Sequence, residues 1–148
     1  MVRNLRYWHA GGIRYVTYET KPYTPLQLRW PMYHLAARGL WDPKVTSDEV
    51  MTEACSKLYG PAAGHMFGFY KTLEKAMVDT GNGVSGGNWS LPTSIYWMYT
   101  PQVQVQATEY LQAAAAVATA TADSAISQRV ALEQQMWETA KAAIAALP

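Results

Sequence analysis

From Pro101 to Leu147 apolar residues recur every three or four positions, with one short interruption. That period is the helical one. Val103, Ala107, Tyr110, Leu111, Ala114 and Val117 trace the first stripe, and Ile126, Val130, Glu133, Trp137, Ala140, Ile144 and Leu147 the second. Thr100-Pro101 opens the first helix as N-cap and first-turn proline, and Asp123-Ser124 caps the second. Two long helices joined by so short a turn must fold back antiparallel. Their alanines allow the backbones to come close. A chain that ends this way is committed to helix-on-helix packing.

The segment before this pair is punctuated in the same manner. Thr46 and Glu49 have the spacing of a capping box. Val50, Met51, Ala54, Cys55 and Leu58 form an apolar stripe behind it, and Gly60-Pro61 ends that helix and begins the next. The next stripe is Met66, Phe69 or Tyr70, Leu73 and Met77. Upstream, Thr24-Pro25 reads as another helix start, with Leu26, Trp30, Tyr33, Ala37 and Leu40 at helical spacing. Pro31 either kinks that helix or marks the start of its regular part, and Asp42-Pro43 stops it. Residues 2–9 suit a short helix ahead of Gly11-Gly12. The stretch "GIRYVTYE" (12–19) is the one segment with strand character, being rich in aromatic and β-branched residues. A lone strand needs a partner for its backbone groups, so it is either paired with another copy or a parent sheet, or an extended arm.

The expectation is an all-α fold of about five helices in a bundle. It ends in a long antiparallel pair and carries one short N-terminal strand or extended arm. Residues 1–148 read as a single helical domain, with 1–22 as strand or arm and 23–148 as the helical part. "GNGVSGGNWSLPTSIYWMYTP" reads as a long loop whose second half is ordered by its aromatics.

Chemistry is sparse. Formal charge is +1 and the basic residues are scattered, so a nucleic-acid stripe is not expected. The longest apolar run, "LQAAAAVATATA", is too short and too alanine-rich to span a bilayer, and "MVRNLRYWHAGG" lacks the apolar region of a secretory leader. The single cysteine, Cys55, excludes an internal disulfide and a cysteine-rich zinc site. His9, His34 and His65 fall on three separate elements, so no metal and no cofactor is expected. "GNGVSGG" follows a helix, whereas a phosphate cradle follows a strand. Glu19, at the end of the strand-like segment, is the one carboxylate placed as in barrel enzymes, but a glycosidase needs two. Six Trp and ten Tyr against two Phe is a skewed set, suited to helix packing, to interfaces or to stacking on sugars.

"GIRYVTYE", "YHLAARGLWDP", "KLYGPAA" and "MFGFYKTLEKAM" follow one another at set distances. In that order they resemble the C-terminal helical part of a large bacterial domain-of-unknown-function family. Members of that family resemble glycoside hydrolases of the α-glucuronidase and hexosaminidase kind. The resemblance covers the chain from about Leu5 onward. It implies a final barrel strand followed by helices, with the barrel itself upstream in the longer members. On that basis the chain is expected to be a non-catalytic helical packing or interaction domain, the C-terminal piece of a larger protein, inactive alone. Its expected partners are a missing barrel domain or a second copy. The alternative is a carbohydrate-binding or hydrolytic role. In it Glu19 supplies acid chemistry, and Tyr18, Trp30, Trp89 and Trp97 contact the sugar.

Overall fold

The computed structural model describes residues 2–16, 30–79 and 98–146. The described fold is all-helical. Its elements are α1 (Val2–Ala10), α2 (Trp30–Trp41), α3 (Ser47–Tyr59), a 3-10 turn (Gly60–Ala62), α4 (Ala63–Asp79), α5 (Pro101–Ala120) and α6 (Ser124–Ala145). No helix among the described residues is long and apolar enough to cross a membrane. The chain divides into two compact units, Met1–Ala54 and Cys55–Pro148, and the division falls inside α3.

In the first unit α1 packs on α2. Leu5 is the buried apolar residue of α1. Arg6 adds polar anchors. Its Nε donates to the carbonyl of Pro43 at 2.9 Å, and one Nη donates to those of Lys44 and Val45, both at 3.0 Å. The α2–α3 connection is thereby tied to α1. The connection also braces itself. The Asp42 carboxylate accepts from the amide of Lys44 at 2.9 Å, and Asp42 N–H closes the end of α2 on the carbonyl of Arg38. The capping box forms as the spacing predicts: Glu49 N–H donates to Thr46 Oγ1 at 3.2 Å and Thr46 N–H donates to Glu49 Oε2 at 2.7 Å. These Thr46 bonds hold the Glu49 carboxyl below the usual carboxylate range.

Of the expected N-terminal strand or extended arm at 12–19, the described part forms no strand. Residues 13–16 are neither helix nor strand. The reason lies in the end of α1. Ile13 N–H donates back to the carbonyl of Trp8 at 3.0 Å and Gly12 N–H to that of His9 at 3.1 Å, with Gly12 at φ +90°. This six-to-one and five-to-two pairing is the glycine-terminated helix stop. It uses the amides that a strand ladder would have needed. The rest of the segment, and the Thr24-Pro25 helix start, lie outside the described residues. Pro31 sits in the first turn of α2, where a missing N–H costs little.

In the second unit α4 packs along α5, and α5 along α6. The paired long helices form where expected. Thr100 caps α5 through the amide of Val103, and Asp123 caps α6 through the amides of Ala125 and Ile126. Ala122 takes the left-handed conformation, φ 56°, to make the turn between them. The buried stripe of α6 is Ile126, Val130, Glu133, Trp137 and Ile144, and that of α5 is Ala107, Leu111, Ala114 and Ala118. On α4 the core face is turned from the expected one. Met66 and Phe69 are buried, but so are Thr72 and Ala76, while Met77 is exposed. Beyond Phe69 the inward positions carry small residues, Thr72 and Ala76. Gly68 faces the ring of Tyr110, and a Cβ at Gly68 would stand 2.4 Å from that ring. Thr72 fits beside it because its hydroxyl donates to the carbonyl of Gly68 at 2.9 Å. On α2 the shift is the same: Ala36 and Gly39 are buried, while Ala37 and Leu40 are exposed.

Gly68→Ala is expected to cost about 1–3 kcal/mol by overpacking. The loss should shrink in a Tyr110→Ala background, and urea unfolding of the four-member cycle measures the coupling. Arg6→Lys keeps the charge but not the three-carbonyl geometry. It should speed amide hydrogen exchange in α1 while leaving α5 and α6 unchanged.

Candidate functional site

Among the described residues, one buried group of chemistry-bearing side chains lies in the second unit. The end of α3 supplies Tyr59, α4 supplies Tyr70 and α6 supplies Glu133. The Tyr59 hydroxyl donates to Glu133 Oε1 at 3.0 Å, and the two phenol oxygens are 2.9 Å apart. A phenol has one proton, so with Tyr59 donating to the carboxylate, Tyr70 donates to Tyr59. Tyr59 and Glu133 are buried, and Tyr70 mostly so. Cys55, one turn before Tyr59 on α3, is also buried.

The local folding follows from helix endings. Gly60 turns at φ +48° and closes α3. Arg129 of α6 donates to the free carbonyl of Leu58 at 2.9 Å, a cation at a helix C-terminus. A Cβ at Gly60 would lie 2.8 Å from Ile126 Cδ1, so α6 sits directly against the turn. With α3 and α6 joined there, Tyr59 is aimed at the Glu133 side of α6.

The electrostatics disfavour ionising the phenols and the thiol of this group. Burial, then the Glu133 charge, push both phenols above the ordinary tyrosine range. The same two causes push the Cys55 thiol up to about 12. Groups so reluctant to ionise are poor acids and poor nucleophiles near neutral pH. The cluster satisfies itself by hydrogen bonding and holds three helices in register. Beside it, Trp137 is buried with its ring edge-on to Phe69 and Tyr99, at centroid distances of 5.8 and 5.9 Å. Its Nε1 donates to Thr108 Oγ1 at 3.0 Å.

Two surface grooves among the described residues hold further polar groups. One, of about 520 Å³ between α4 and α5, is lined by Phe67, Lys71, Lys75, Asp79, Gln106 and Tyr110 among others. Lys71 and Lys75 are paired with Glu74 and Asp79 of their own helix. The other, in the first unit, holds the ion pair of Arg38 with Glu53 at 3.0 Å, beside Asp42 and Glu49. No cluster of three or more metal-binding side chains occurs among the described residues.

Of the residues the sequence proposes for a sugar site, Trp30 opens α2. It is half-buried, its ring 6.3 Å from that of His34 and tilted by 53°. Tyr18, Glu19, Trp89 and Trp97 lie outside the described residues. Tyr59, Tyr70 and Glu133 were missed as a group. A signal existed: Glu133 is the one charged residue on the otherwise apolar stripe of α6. Comparison with family models, with curated proteins and with solved structures finds no match for this chain.

Two outcomes follow from the buried protons. Above about pH 9 an unfolded chain loses its thiol proton, and above about pH 10 its phenol protons. The native state holds these protons to higher pH on Cys55, Tyr59, Tyr70 and Tyr99, whose ionisation burial disfavours. The native state then binds more protons, so stability falls with rising pH, by about 1.4 kcal/mol per pH unit for each retained proton. Urea midpoints taken from pH 8 to 11 should drop, less steeply in Tyr99→Phe. Cys55 should resist a thiol-reactive disulfide reagent in native buffer and react fully in denaturant.

Proposed function

We propose that the chain is a non-catalytic helical packing domain. Its first unit docks, through exposed aromatic side chains, on a larger domain. The resemblance of "YHLAARGLWDP" and "KLYGPAA" to the helical part of glycoside-hydrolase-like proteins names that domain as their barrel.

The supporting observation is Trp41. This residue of the Leu-Trp-Asp-Pro motif ends α2 with 89 % of its surface exposed. Burying a side chain of this size is worth at least about 1.5–3 kcal/mol. The chain forgoes that gain, yet holds the adjoining connection through Asp42, Arg6 and the Thr46–Glu49 box. A large aromatic beside a braced connection suits a docking anchor. Tyr7 and Tyr15 of the same unit are 78 % and 93 % exposed. The self-satisfied Tyr59–Tyr70–Glu133 group fits a packing role equally well, since its polar atoms are spent on one another.

The test has two arms. In sedimentation velocity the mean mass should rise with concentration, because an uncovered aromatic face self-associates in the absence of its partner. A Trp41→Ser/Tyr15→Ser double variant should stay monomeric with unchanged helical circular dichroism. A wild-type chain that is strictly monomeric at every concentration overturns the proposal. In the second arm, uronic-acid oligosaccharides at millimolar concentration should leave the tryptophan fluorescence unchanged. A saturable response favours the carbohydrate-binding alternative.

A further inference from the structure

No further inference is drawn: the strongest candidate, the open groove between α4 and α5 walled by Phe67, Lys71, Lys75 and Tyr110, has both lysines already paired with Glu74 and Asp79 of the same helix, and nothing in the structure shows what covers it.

Discussion

The second unit depends on how near α4 and α5 can come. Small residues recur on both helices: Gly68 has no Cβ where it faces Tyr110, Ala76 stops at one carbon, and the buried face of α5 is mostly alanine, at Ala107, Ala114 and Ala118. Dispersion is a short-range force, so a seam of small residues gains by bringing many backbone atoms into contact. The Tyr110 ring lies over Gly68, where a Cβ would collide with it. With α5 held there, α6 lays its own stripe along it, and Trp137 meets Phe69 of α4 and Thr108 of α5. One indole thus touches both neighbouring helices, and its only polar atom is satisfied by a threonine hydroxyl.

Polar atoms in such a core must be paid in hydrogen bonds, because water is not there to supply them. Tyr59, Tyr70 and Glu133 answer this with mutual bonds. Thr72 and Thr108 return their hydroxyl protons to the carbonyls one turn back, at Gly68 and Gln104. Directional bonds restrict sliding and rotation of one helix on another in a way that alanine contacts alone do not. The polar group therefore contributes register, while the small residues contribute proximity.

The helices were readable because their ends are written in local chemistry. Thr46 with Glu49, Thr100 with Pro101, and Asp123 need only the next few amides to act. The faces were less readable. On α4 and α2 the helical spacing pointed to Met77 and Leu40, but Thr72, Ala76, Ala36 and Gly39 are the buried residues. Which face is inward is decided by the partner helix, and periodicity carries no information about the partner. Likewise "GIRYVTYE" has strand composition, but its first described amides are claimed by the end of α1. The Tyr59–Tyr70–Glu133 group joins residues 74 positions apart, a meeting only the tertiary fold creates. Of the proposed sugar-site residues, only Trp30 falls within the described structure.

The grip of Arg6 has an unequal consequence for mutational drift. Its three acceptors, at Pro43, Lys44 and Val45, are main-chain oxygens, which every amino acid supplies. The side chains at positions 43, 44 and 45 can therefore change without removing an acceptor from Arg6. Position 6 has no such latitude, since only a guanidinium offers several donors in a fixed fork. The information for this attachment is stored almost wholly at one end of it.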